Sequence, residues 1–387
     1  MNYNRRVFIK STGVLAGAGF ISQVGSGGES KKYKAAIIGH TGGGDYGHSY
    51  DTIFSNLAQV SVEAVADVSE EGAKQAAQRS GAARIYTDYQ NMLEKEKPDL
   101  VSIAMRQPEL HKDIALAAIE VGAHIFMEKP MTETVADADA IVSAAERKSI
   151  KIAVAHNRRY TQEFQKIKFL LDEGLIGTVL EVRAQGKQDT RVGGEDMIVL
   201  GTHDFDYMRY LFGDPHWCFA SVTQRGKDIT RKDARKGTEP MIVAGDSIRS
   251  MFSFPYNVFA YWNSIKTRDH WNTRFTDHDT WGIDIYGTKG ILSFRSGVGF
   301  AWWNSPFPAK LENAIWQPLP EPQSWYSPAH SSNMAVNLLY AIENDTQPLC
   351  SMYDGRWAIE MVSAVYQSHL SQSRVALPLK ERGNPLT

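Results

Sequence analysis

The chain has 387 residues, of which 43% are hydrophobic and 22% charged, ordinary globular material for two domains at roughly 100–200 residues each. A formal net charge of -2 with both signs interspersed excludes the strongly basic face of a nucleic-acid-binding protein. Its two cysteines, Cys218 and Cys350, lie far apart without ligand spacing, which excludes a disulfide framework or a zinc motif and leaves room for one bridge at most.

In chain order, Asn4-Arg5-Arg6-Val7-Phe8-Ile9-Lys10 precedes a weakly apolar run rich in Gly and Ala, Ser11 to Val24, the layout of a charged region before an export segment. The arginine pair resembles a twin-arginine signal, with Asn4 where Ser or Thr is usual. The run is too short for a bilayer-spanning helix, which needs about 20 apolar residues. Residues 1–32, ending in the Gly/Ser/charged stretch Gly25 to Lys32, are therefore expected to be signal and linker, and the protein to be exported to the periplasm or an equivalent compartment. Such export carries folded proteins, which suits a chain that acquires a cofactor before it leaves the cytoplasm.

Beyond the linker, the apolar runs Lys34 to Ile38, Val60 to Ala66 and Leu100 to Ala104 alternate with helical patterns. His124 to Met127 and Ile152 to Ala155 continue the series after the helix-like stretches Asp113 to Val121 and Ala136 to Lys148. This alternation predicts an α/β Rossmann domain, a doubly wound parallel sheet, over residues 33–156. From about residue 160 the rhythm changes: a helix from Phe164 to Glu173 is followed by strand-like runs at Val179 to Gln185, Trp217 to Thr223, Ile248 to Phe254, Phe259 to Ser264, Trp281 to Tyr286 and Gly290 to Phe294. These predict an α+β domain with a mainly antiparallel open sheet over residues 157–387, for substrate binding and oligomerisation. Ser331 to Glu343 and Asp354 to Leu370 read as helices and are expected to brace the domain interface.

The first strand runs into a glycine-rich loop, Gly39-His40-Thr41-Gly42-Gly43-Gly44. Glycines let the backbone approach a pyrophosphate closely, and a helix expected after the loop would offer free N–H groups to it. Gly39 and Gly44 occupy the outer positions of G-x-G-x-x-G, with Thr41 in place of the middle glycine. Asp67 closes the second strand, where a carboxylate would take ribose hydroxyls and repel a 2′-phosphate, so NAD is favoured over NADP.

The sharpest signal is Gly122-Ala123-His124-Ile125-Phe126-Met127-Glu128-Lys129-Pro130. With Tyr86-Thr87-Asp88-Tyr89, His111, Asn157-Arg158-Arg159-Tyr160, Glu173-Gly174-Leu175-Ile176-Gly177, Gly193-Gly194, Gly201-Thr202-His203 and Tyr286-Gly287-Thr288-Lys289-Gly290, it resembles the glucose-fructose oxidoreductase, inositol dehydrogenase and rhizopine-catabolism (Gfo/Idh/MocA) family over nearly everything after the linker. The resemblance implies that Lys129 hydrogen-bonds the substrate hydroxyl and stabilises alkoxide character as hydride leaves carbon, with Pro130 fixing a turn that is often cis. It implies that Glu128 orients the nicotinamide side, that His111 and Arg158 join the cofactor site, and that the protein forms a dimer or tetramer.

His203 is the second catalytic candidate, a near-neutral base able to accept the hydroxyl proton. The family pattern has an Asp four residues earlier; here that position is Val199. His203 is then oriented by Asp206 or Asp196, or only binds substrate, and Asp206, one helical turn on, is itself a candidate substrate contact. Lys187-Gln188-Asp189-Thr190-Arg191 reads as polyol contacts through Asp189 and Arg191, or as a solvated loop. Arg268-Asp269-His270-Trp271 and Asp277-His278-Asp279 combine polar groups with an aromatic platform for a sugar, and their irregular spacing favours a substrate loop over a metal site.

The leading function is an NAD(P)-dependent oxidoreductase acting on a sugar or polyol. Export would require the cofactor to stay bound and be recycled within the cycle, by alternating oxidation and reduction of two sugars. The alternatives are redox-neutral glycoside cleavage through transient oxidation, elimination and re-reduction, and a non-catalytic dinucleotide-binding sensor on the same scaffold.

Overall fold

The computed structural model describes residues 32–238, 241–266, 281–295, 299–306, 311–320 and 333–387. The signal and most of the linker, and the two clusters around His270 and His278, lie outside these residues.

The first layer is a six-stranded parallel sheet of β1 (Tyr33–Ile38), β2 (Val60–Ala66), β3 (Arg84–Tyr86), β4 (Leu100–Ile103), β5 (His124–Met127) and β6 (Ile152–Val154), in the order β3-β2-β1-β4-β5-β6. Ala35, Ala36 and Ile37 are fully enclosed, as expected of a strand covered on both faces. The crossovers carry α1 (Glu70–Ser80), α2 (Tyr89–Glu96), α3 (Pro108–Glu120) and α4 (Val135–Arg147). Their starts follow local chemistry: Ser69, Asp88 and Thr134 cap the first turns of α1, α2 and α4 through their side-chain oxygens.

The helix expected after β1 is replaced by loop and a single 3-10 turn at Tyr50–Thr52. Gly42, Gly44, Gly47, Asp45 and Ser49 all have positive φ there, a left-handed series that an α-helix cannot contain.

The second layer begins with α5 (Gln162–Asp172) and β7 (Val179–Gln185), followed by α6 (Thr202–Phe212) and the strands β8 (Trp217–Gln224), β9 (Ser247–Phe254), β10 (Val258–Ile265), β11 (Gly282–Gly287), β12 (Ile291–Arg295), β13 (Gly299–Trp303) and β14 (Trp316–Pro318). After α7 (Met334–Glu343) and α8 (Met352–Ser371), the short β15 (Val375–Ala376) joins the sheet edge. The order is β14-β13-β12-β11-β7-β10-β9-β8-β15, with Lys227–Asp228 paired to β8, ten strands in all. Every neighbouring pair is antiparallel except β7 with β10. Phe205 on α6 packs edge-on against Phe252 and Trp262 of the sheet, the centre of this core.

The two C-terminal helices divide the bracing role that both were expected to share. α7 buries Ala335, Leu338 and Leu339 among Tyr33, Ile37 and Phe126, so it completes the first core. α8 spans both layers: Met352 packs in the first core, Val362, Val365 and Tyr366 in the second. Among the described residues no helix is long and apolar enough to cross a membrane.

Candidate active site

In an open α/β sheet the ligand crevice lies beyond the carboxyl ends of the strands where the order reverses, here between β1 and β4. The loop after β1 is built into that crevice. A Cβ on Gly44 would come within 2.7 Å of the Arg106 amide nitrogen, and one on Gly47 within 2.6 Å of the Ala104 carbonyl and 2.9 Å of Glu128. Gly42, at φ +80°, would meet nothing within 4 Å. The loop thus packs tightly on the β4 side and presents Gly42 to open space. The glycines that do this are Gly42, Gly44 and Gly47, an uninterrupted G-x-G-x-x-G displaced from the Gly39, Thr41 and Gly44 frame read from sequence. Gly39 packs on the Tyr46 ring and Gly43 against Gln107 and His40.

Asp67, only 2% exposed, anchors the loop: its carboxylate accepts the Thr41 N–H at 3.0 Å, the Thr41 hydroxyl at 2.8 Å and the Ser69 N–H at 2.8 Å. Its first structural task is therefore to tie the end of β2 to the turn after β1.

β5 delivers Glu128 and Lys129 to the same edge, with a cis Lys129-Pro130 bond. Glu128 is fully buried; Oε1 lies 2.5 Å from His48 Nδ1 and Oε2 accepts the Lys129 N–H at 2.7 Å. His48, which closes the glycine-rich stretch Gly39 to His48 and is given no role from sequence, is the residue directly after the displaced glycine motif, so the correct frame singles it out. Lys129 Nζ donates to the Val199 carbonyl at 3.2 Å. Val199 sits in a π-helical turn, Met197–Gly201, immediately before α6, a local irregularity often found at functional sites. The residue that lacks the family carboxylate thus still receives Lys129, through its backbone.

His203, in the first turn of α6, faces the His156 ring edge to face at 5.5 Å between centroids. Burial pushes its pKa well down, and Lys129, His156, Arg158 and His48 push it further. Its Nδ1 has no hydrogen-bond partner. Neither aspartate proposed to orient it does so. Asp206 is clamped by Arg159 at 2.7 and 2.8 Å, and Asp196 accepts from Ser264 at 2.6 Å and from the Lys187 and Gln188 amides. Burial raises the Asp196 carboxyl to about 6. With 1% exposure and both oxygens on a guanidinium, Asp206 is also removed from direct substrate contact.

Four other candidates likewise have internal partners. His111 is fully buried, its ring nitrogens facing the Met105 and Met131 carbonyls at 2.9 and 3.1 Å, so its side chain supports the β5 turn instead of reaching a cofactor. Arg158 donates to Asp204, and its guanidinium stacks on Trp281 and Phe164, which places it in the second layer. Asp189 and Arg191 pair with each other at 2.5 Å on a partly exposed loop. His156, Asp206 and Cys350 bring three potential ligand atoms within 4.8 Å, but Arg159 already supplies the positive charge a cation would bring.

The parallel sheet with its glycine loop at the switch point, together with the Glu128–Lys129 turn, defines a dinucleotide-binding α/β protein joined to a sheet-based second layer. Residues 33–156 match the model described as oxidoreductase family, NAD-binding Rossmann fold, and residues 164–293 match the GFO/IDH/MocA C-terminal domain; the chain belongs to the Gfo/Idh/MocA family. It is 30% identical over 213 residues to D-apiose dehydrogenase of Paraburkholderia graminis, covering 52% of this chain and 56% of that protein. With levoglucosan dehydrogenase of Pseudarthrobacter phenanthrenivorans it shares 25% identity over 292 residues, 67% of this chain and 73% of the relative. A crystal structure of levoglucosan dehydrogenase with NADH and levoglucosan superposes with a TM-score of 0.70 at 21% identity, covering 90% of this chain and 100% of that one, a likeness of fold. The chain spans about half the length of several curated relatives it matches, 47–56%.

Proposed function

We propose that the protein is an NAD-dependent oxidoreductase that exchanges hydride with a carbinol carbon of a sugar or polyol. The observation that carries the reading is the convergence of Lys129 and His203 on the Val199 turn, at the carboxyl edge of a sheet whose glycine loop leaves Gly42 facing open space. The sugar and polyol dehydrogenases among its relatives support the substrate class.

The cradle fits a dinucleotide. Gly42 to Gly47 would pass along the pyrophosphate, Asp67 would stand at the ribose, and Glu128, held by His48, would border the nicotinamide. A bound nicotinamide supplies the hydride acceptor or donor. The protein supplies the rest. The Lys129 ammonium donates a hydrogen bond to the reacting oxygen and stabilises negative charge there. His203, held neutral by burial and cationic neighbours, accepts the hydroxyl proton; in the reverse direction it returns the proton to the carbonyl oxygen.

Arg5-Arg6 and the apolar run after them support export, which would keep the nucleotide bound and recycled between two sugars. The test is to purify the protein, denature it and identify released nucleotide, then to assay paired sugars, inositols and anhydrosugars. Stoichiometric NAD with turnover that is lost in Lys129→Met supports the reading. No nucleotide affinity, or turnover unaffected by Lys129→Met, overturns it.

A further inference from the structure

Two imidazole nitrogens at the site are buried without a partner, Nδ1 of His203 and Nε2 of His156. The rings come from different elements, His203 from the first turn of α6 and His156 from the residues just after β6, and they meet edge to face at 5.5 Å between centroids. The structure draws no hydrogen bond between them, but each is left over beside the other's ring, and one nitrogen that donates and one that accepts satisfy each other once they come within reach. His156 is 1% exposed, and its other nitrogen, Nδ1, lies 3.7 Å from Cys350 Sγ and 4.0 Å from Asp206 Oδ1. Asp206 is fixed by the Arg159 fork, which also reaches Asp354 at 3.2 Å.

We propose that His156 is a positioning residue that sets the tautomer of His203, with the Cys350 thiol, itself donating to Asp206, setting His156 in turn, so that this buried chain takes over the orienting role of the aspartate that Val199 replaces. The direction of the chain follows from its fixed end. Nδ1 of His156 is 4.0 Å from Asp206, beyond hydrogen-bond reach, and meets Cys350 Sγ at 3.7 Å; the thiol donates its hydrogen to Asp206 Oδ1, so Sγ accepts, Nδ1 carries the hydrogen and Nε2 is left with its lone pair. That lone pair accepts from Nδ1–H of His203. Nε2 of His203 is then bare and turned to the reacting oxygen, the form a general base requires. Of the other groups acting on His203, Lys129 and Arg158 are charged donors and His48 is held at Glu128, so none of them holds Nδ1–H. The role given to His203 rests on the proposed oxidoreductase chemistry, while the tautomer does not.

The experiment is long-range ¹H–¹⁵N NMR of the full chain labelled with ¹⁵N-histidine, with His203 assigned through His203→Asn. The expected result is that wild-type His203 and His156 both carry hydrogen on Nδ1. In His156→Phe, which keeps a ring but no nitrogen, at least half of the His203 population moves to the Nε2–H form; in His156→Gln the amide oxygen restores Nδ1–H. Wild-type His203 found as Nε2–H, or Nδ1–H unchanged in His156→Phe, overturns the proposal, and the wild-type measurement decides it even where a variant fails to fold. A purely space-filling His156 would leave the tautomer of His203 unmoved. Failure of the oxidoreductase reading is seen separately, as absent nucleotide and no turnover on sugars.

Discussion

Gly42 and Gly47 share a left-handed backbone, φ +80° and +57°, but differ in what stands beside them, and alanine at each separates a ligand role from a packing role. Both variants accept the left-handed penalty of about 1–2 kcal/mol. At Gly47 the new methyl also meets the Ala104 carbonyl at 2.6 Å and the Glu128 carboxylate at 2.9 Å, so the strand end or the His48–Glu128 contact must move. Overpacking of that kind adds about 1–3 kcal/mol, giving roughly 2–5 kcal/mol for Gly47→Ala. At about 2 °C per kcal/mol for a chain of this size, Gly47→Ala should melt roughly 4–10 °C below wild type and Gly42→Ala roughly 2–4 °C below. Nucleotide affinity should sort them the other way. Gly42 has open space where its Cβ would go, the side a pyrophosphate would fill, so Gly42→Ala should weaken NADH binding by at least tenfold relative to its small loss of stability. Thermal melts and fluorescence titration with NADH read both quantities. Equal melting temperatures for the two variants, or NADH affinity unchanged in Gly42→Ala, would refute the assignment of the loop.

Lys129→Met should lower turnover by about 10²–10⁴ while leaving the NADH dissociation constant within about twofold, measured by steady-state rates and titration. Asp206→Ala, which takes the bidentate partner from the buried Arg159 and leaves it Asp354, should cost about 3 kcal/mol in urea denaturation, whereas Asp189→Asn on its partly exposed loop should cost about 1 kcal/mol or less. His111, His156 and His203 all have folded pKa values lowered by burial, so the unfolded chain binds their protons first and stability falls as pH drops below about 6.5. Asp196, raised to about 6, and Asp204, raised by burial, act in the opposite sense by binding protons in the folded state. The histidines and the two carboxylates thus oppose each other; with the histidines more numerous, urea denaturation should show stability falling from pH 6.5 to 5, and a rise over that window contradicts the balance. Val199→Asp should raise the pKa of His203 by adding a negative charge beside Lys129, seen as a shift of its NMR titration to higher pH.

The alternation of strands and helices was legible because parallel strands are continuous apolar runs, and His124–Met127 and Val179–Gln185 fall where the patterns put them. Short elements were not: β3 has three residues, none fully buried, too few for a period to register. The missing helix after β1 was overruled by a run of positive-φ residues, some of them non-glycine, whose conformation composition does not reveal. Lys129 was legible from its motif. The partners of the polar candidates were not, because Arg159 reaches Asp206 across sequence, and Cys350 approaches His156 from the far end of the chain. An aspartate near a histidine in sequence therefore predicted a pair that folding gave to an arginine instead.

That exchange has a physical logic. A carboxylate buried next to His203 would stabilise its protonated form; Val199 removes that charge, and its carbonyl accepts a hydrogen bond from Lys129. With Asp206 paired to Arg159 and Asp204 to Arg158, the neighbours that act on His203 lower its pKa, Lys129 foremost. A base in such a field stays unprotonated and gives up an acquired proton readily, which suits a site that must run hydride transfer in either direction. The cost is the loss of a fixed hydrogen-bond partner for Nδ1, and the only neighbouring ring described within aromatic contact of His203 is His156. The electrostatics and the orientation of the base are then handled by different residues, the first by removing a carboxylate at Val199 and the second by an imidazole one layer deeper.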